Sequence, residues 1–138
     1  MPNSNQLHDF ENELFELRAM PTSLVNVLES IPSSAHPMEV IRTIVSYMGV
    51  IEPEESFEDQ LHIAKRLLGV TVSAIVYWYK FSHENKKIDQ ETGEKSLAAH
   101  FLKLLRQEEI PALHQKTLDV SLTLYAEHEF NASTFTGR

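Results

Sequence analysis

Cysteine is absent from all 138 residues, which excludes a disulfide framework, a thiolate metal site and a cysteine nucleophile. Glycine is scarce, with four residues, none of them in a phosphate-cradling loop or in the Gly-x-Ser-x-Gly elbow of a serine hydrolase. Positive charge is also short: 12 Lys and Arg against 20 Asp and Glu leave a net charge of −8. Neither nucleic acid nor an anionic membrane surface is the expected partner of such a chain. No apolar run approaches the about eighteen residues needed to span a bilayer, and Asp9, Glu11 and Glu13 stand where a secretory or transit peptide would be basic. A cytoplasmic location is the expectation. The seven histidines are scattered along the chain without a His-Glu-x-x-His pair, so no metal site is expected.

What remains is a helical pattern. The length suits one domain, and a hydrophobic fraction of 42% suits a real core. After a frayed start over residues 1–5, Leu7, Phe10, Leu14 and Leu17 recur at steps of three and four with acids between them, which predicts an amphipathic helix over Gln6–Arg18. Pro21 breaks it, and Thr22 or Ser23 is placed to cap a short second helix that ends at Ile31-Pro32. A third helix begins at His36-Pro37, with proline in the first turn, where its missing N–H costs nothing. Met38, Ile41, Ile44, Val45 and Met48, widened by Val40 and Tyr47, make this helix apolar around more than half its circumference, so it calls for cover on two sides. The second cover is either the domain's own core or another subunit.

A linker over Ile51–Ser56 precedes a long helix from Phe57 to about Phe81, capped by Ser56 and Asp59. Gly69 inside it costs about 1 kcal/mol against alanine, which predicts a kink or a close helix crossing there. The cluster Tyr77-Trp78-Tyr79-Lys80-Phe81 has no basic patch beside it, so it reads as core and interface rather than as a base-stacking platform. Residues 82–95 are the clearest loop, and loops of that length are functional or mobile. Ser96–Arg106 is a further amphipathic helix, with His100 a structural residue beside Phe101. A turn at Glu108–Pro111 leads to a terminal helix from about Ala112. No strand-period segment occurs, and the predicted fold class is all-α with about six helices.

The terminal helix carries Leu118, Leu122, Leu124, Tyr125 and Phe135, which predicts a largely buried helix. Into it fall Glu127, His128, Glu129 and Asn131, and buried polar groups cost about 1–3 kcal/mol each when unpartnered. Two readings account for them. His128 is a satisfied core histidine with the glutamates reaching solvent, or His128 and Asn131, three apart on one face, converge on a carboxylate of an oxygen-rich ligand. Spacing leaves both open.

The run Tyr125-Ala-Glu-His-Glu-Phe-Asn-Ala-Ser-Thr-Phe-Thr136 resembles the citrate synthase family, and within it the 2-methylcitrate synthase branch. The resemblance extends through Ile31-Pro-Ser-Ser-Ala-His-Pro-Met-Glu-Val-Ile-Arg-Thr43, Tyr77-Trp-Tyr-Lys-Phe-Ser-His83 and Ile88-Asp-Gln-Glu-Thr92, covering nearly the whole chain from about Phe10. It implies that residues 1–138 are part of a large helical domain, without the small CoA-binding domain. It implies oxaloacetate binding by His128 and Asn131, an acyl-CoA as second substrate, no cofactor, and a homodimer through the Pro37–Met48 region. The resemblance places the enol-stabilising histidine, in a Gly-Pro-x-His-Gly motif, and the catalytic aspartate further on than Arg138, so no catalytic residue is expected within this chain. The implied reaction is condensation of propionyl-CoA with oxaloacetate by a parent enzyme, the fragment alone being inactive. The alternatives are a citrate synthase using acetyl-CoA and a non-catalytic helical dimerisation module.

Overall fold

The computed structural model describes residues 2–126, and among these it contains helices and no strand. The order is α1 (Ser4–Leu17), α2 (Thr22–Ser30), α3 (Pro37–Ile51), a 3-10 turn (Phe57–Asp59), α4 (Gln60–Glu84), α5 (Leu97–Arg106) and α6 (Ala112–Ala126). The all-α expectation holds.

Local chemistry accounts for the helix ends. The frayed start is a correction: Asn3 and Gln6 form a reciprocal capping box, each side chain accepting the other's backbone N–H at 2.9 Å, so α1 begins at Ser4. The expected Thr22 or Ser23 cap is a second correction. Pro21 holds the cap position with no side-chain bond, and its carbonyl accepts from Leu24 and Val25. At α3 the His36 ring Nδ1 accepts from the Met38 N–H at 3.2 Å, with Pro37 just inside. Asp59 accepts from the Ser56 N–H at 2.9 Å, as the capping pattern requires, although a 3-10 turn precedes the α-helix. The long helix runs past Phe81 to Glu84, because Lys80 and Glu84 pair at 2.7 Å across one turn and Asn85 closes it in the left-handed conformation (φ 53) that asparagine tolerates better than most residues.

Helix α4 is the axis against which α1, α2, α3 and α5 all pack. Its Val70, Ala74, Val76, Tyr77 and Trp78 join Leu24 and Leu28 of α2, Val40, Ile44 and Met48 of α3, and Leu104 of α5 in one core. Gly69 is a close crossing, as the sequence predicts. A Cβ there would lie 3.2 Å from the Arg18 Cα and 3.3 Å from the Leu14 carbonyl oxygen. Both are backbone atoms of the α1 end and cannot swing aside. Gly69→Val is therefore expected to push α1 away and to cost about 1–3 kcal/mol, the usual range for overpacking, measured as a fall in the urea midpoint. A variant as stable as the wild type would show that α1 yields freely.

One burial expectation, for α3, stays open, and one, for α6, is corrected. Among the described residues, helix α3 is covered on one side: Val40, Ile44 and Met48 are buried, while Met38 is 62% and Val45 42% exposed, which leaves open the second cover that the sequence calls for. Helix α6 contains no buried residue, and Leu124 and Tyr125 are 71% and 82% exposed. Its only extensive packing among the described residues is against α5, so one helix cannot cover a surface that is apolar on several sides.

Candidate functional site

Helix α6 delivers the run that carries the predicted site. It is described to Ala126, and His128 and Asn131 lie outside the described residues. The described part of the chain shows which other polar groups are free for chemistry.

Three of the ionisable clusters there tie distant elements together, and each is occupied by structural work. Arg66 donates through Nε and Nη2 to the two carboxylate oxygens of Glu52, each at 2.9 Å. Its Nη1 donates to the carbonyls of Leu17 and Ala19. These carbonyls end α1 without helical partners, so Arg66 closes that helix and ties it to the end of α3. An open groove of about 690 Å3 runs beside this pair, lined by Val45, Met48, Glu52, His62 and Arg66 among others. With its guanidinium engaged, Arg66 has little left to offer a substrate carboxylate.

Tyr77 donates to Glu29 at 2.7 Å, and burial, reinforced by Glu29, pushes its pKa up to about 12. It keeps its proton and is no base at neutral pH. Glu29 in turn is held below the usual carboxylate range by Lys87 and by Tyr77.

The third cluster explains the loop. The structure shortens it to residues 85–96, a strap laid across α1, α2 and α5 with Ile88 its one buried side chain. Lys87 pairs with Glu29 at 2.7 Å. Gln90 accepts from the Met20 N–H at 3.3 Å, Glu94 pairs with Lys103 at 3.1 Å, and Lys95 donates to Asn12 at 2.7 Å. Beneath the strap, Arg18 is 3% exposed, with its guanidinium 4.1 Å from the Phe15 ring centroid. It donates to the Glu94 carbonyl and lies 3.5 Å from the Glu91 carboxylate. Beside it His100, fully buried, shares hydrogen bonds of 2.9 Å with Ser73 Oγ and with Thr92 Oγ1. Burial, with Arg18 adding to it, pushes the His100 pKa down to about 4. His100 is neutral and sealed, the structural residue the sequence predicts.

Arg18 is the buried charge that sequence reasoning missed. It sits at the C-cap of an acidic amphipathic helix, and nothing local to it signals that residues more than seventy positions away will bury it. Of the aromatic cluster, Tyr77 and Trp78 are core while Tyr79 is 41% exposed. Tyr79 lines a shallow apolar groove with Trp78, Phe101 and Leu105. Among the described residues no three His, Asp or Glu side chains come together in a way that could hold a metal ion, and no helix is long and apolar enough to cross a membrane.

Comparison with known proteins supplies what the described geometry does not. The family model described as citrate synthase, C-terminal domain, matches residues 1–138. A 2-methylcitrate synthase of Shewanella oneidensis is 51% identical over 138 residues, which is 100% of this chain and 37% of that protein. A citrate synthase of Deinococcus radiodurans is 32% identical over 140 residues, with 99% of this chain and 37% of that protein covered. The 2-methylcitrate synthase 1 of Corynebacterium glutamicum is 32% identical over 147 residues, with 100% and 38% covered. The chain spans less than two fifths of the length of these curated relatives.

Proposed function

The chain belongs to the citrate synthase family, and from that premise we propose that it is part of the large helical domain of a 2-methylcitrate synthase, whose complete form condenses propionyl-CoA with oxaloacetate. The observation that carries the reading is the 51% identity, sustained over the whole chain, to a protein named for that activity. The run around His128 adds to it, since as a contiguous run it resembles the family's oxaloacetate-binding motif.

In this reading a carboxylate elsewhere in the complete enzyme takes the α-proton of the acyl group, and a second histidine stabilises the enol. The enol carbon then attacks the ketone of oxaloacetate, and hydrolysis of the thioester releases the CoA thiol. His128 polarises the ketone by donating a hydrogen bond, and Asn131 shapes the same pocket with its amide. No cofactor takes part, the acyl-CoA being a substrate. The enzyme is a cytoplasmic homodimer, and the exposed Met38 and Val45 on the outer face of α3 favour the Pro37–Met48 region as its interface.

The 138 residues alone carry one wall of the oxaloacetate site and not the groups that move protons, so they do not catalyse the condensation. Thiol release from propionyl-CoA and oxaloacetate is the test. The purified chain is expected to release none, and a complete synthase containing it is expected to prefer propionyl-CoA to acetyl-CoA. Release by the chain itself would overturn the first statement, and a preference for acetyl-CoA the second.

A further inference from the structure

The strap over Arg18 and His100 has an unusual balance of forces. Of residues 85–96 only Ile88 is buried, and the rest of the hold is polar: the Lys87, Gln90, Glu91, Glu94 and Lys95 contacts with Glu29, Met20, Arg18, Lys103 and Asn12. Under it the Nε and Nη2 atoms of Arg18 are buried without a hydrogen-bond partner. Burial, offset in part by Glu91 and Glu94, draws the Arg18 pKa down from the ordinary arginine value, yet arginine keeps its charge throughout the accessible pH range.

His100 occupies the same space. Its two ring nitrogens meet only hydroxyls, those of Ser73 from α4 and Thr92 from the strap, and no carboxylate bonds to it. Among the described residues, the charged groups around this space are Arg18 at the end of α1, Glu91 and Glu94 from the strap, and Lys103 from α5. Glu94 is engaged by Lys103, and the Glu91 side chain is 62% exposed. A proton on His100 therefore places a second cation beside a buried, under-partnered arginine, with no anion among the described residues free to compensate it.

We propose that residues 85–96 are an acid-released strap: protonation of His100 lifts the strap from the Arg18–His100 pair while the core beneath stays folded. Lifting is the cheapest relief. It exposes one apolar side chain, Ile88, and lets water reach both cations at once, whereas global unfolding would expose the whole core.

The direction in pH follows from the two states. The closed strap holds His100 neutral down to about 4, while the open strap leaves a solvated histidine that titrates at about 6.5. Between those values the open state takes up a proton that the closed state refuses, so closure is fully stable above the window and weakens as pH falls through it. The expected loss is about 30-fold in the closing equilibrium between pH 7.5 and pH 5.

Hydrogen exchange on a complete synthase that contains this segment tests this. The amide of Glu94, bonded to Thr92 Oγ1 at 3.2 Å, and its strap neighbours are expected to lose about 30-fold in protection at pH 5 after correction for intrinsic rates. The amides of Ser73–Trp78 in α4 should keep theirs. In His100→Gln, which retains polar contact with both hydroxyls and does not titrate, strap protection should not change with pH. In Arg18→Gln the His100 imidazole should titrate at a higher pH than in the wild type, which keeps the proposal testable where His100→Gln does not fold. Protection lost equally in strap and core, a strap unprotected at pH 7.5, a pH dependence unchanged in His100→Gln, or an unmoved titration in Arg18→Gln would each overturn it.

Discussion

His128→Ala, placed in a complete synthase that contains this segment, is expected to lower kcat/KM for oxaloacetate by about 10²–10³, the loss typical of removing one hydrogen-bond donor aimed at a developing oxyanion. The ketone oxygen of oxaloacetate gains negative charge as the enol carbon attacks, and a donor fixed in place stabilises that charge more than it stabilises the ground-state carbonyl. The effect should fall on kcat as well as on KM. Asn131→Ala, which removes an amide rather than the polarising donor, should act chiefly on KM. A His128→Ala enzyme with unchanged kcat/KM would return the residue to the other reading open at the sequence level, a satisfied core histidine. Thermal unfolding of the same variant separates the two roles, since loss of a core partner lowers stability and loss of a substrate contact does not.

Trp78→Ala is expected to have the largest effect on stability, about 3–5 kcal/mol, against a typical total of about 5–15 kcal/mol for a domain. Trp78 is 2% exposed and stands in the core that joins α2, α3, α4 and α5. Its indole Nε1 donates to the Ile31 carbonyl at 3.3 Å, at the point where α2 ends, and the His83 ring meets it edge-on at 5.3 Å. Truncation removes the ring, leaves a cavity among three helices and takes a donor from that carbonyl. The neighbouring Tyr79→Ala, on the exposed side of α4, serves as the control and should cost far less. Urea unfolding reads both, and a Trp78 variant within about 1 kcal/mol of the wild type would mean that the core closes over the gap.

The contrast between Trp78 and Tyr79 shows how far the sequence can be read. An aromatic run on a helix announces core and interface, yet which ring faces inward depends on where α2 and α5 dock. Gly69 was legible because a glycine in the middle of a helix is unfavourable unless something needs the space, and α1 does. His36-Pro37 was legible because the chemistry of a helix start lies within three residues. For the candidate site, the types and spacing of His128 and Asn131 admit a ligand, and only the longer run, matched to a family, favours one.

By itself, then, the sequence determined the all-α class, most helix positions, the close crossing at Gly69 and the family, because each rests on short-range spacing or on a contiguous run of residues. Tertiary structure alone decided that Arg18 is buried, that residues 85–96 form a strap held by partners on three helices, and that the outer faces of α3 and α6 are left uncovered by the other described residues. The physical reason is range. A helical period records which side chains share a face, whereas the partner of a buried charge and the cover of an apolar face come from elements dozens of residues away, and no local pattern encodes how those elements pack.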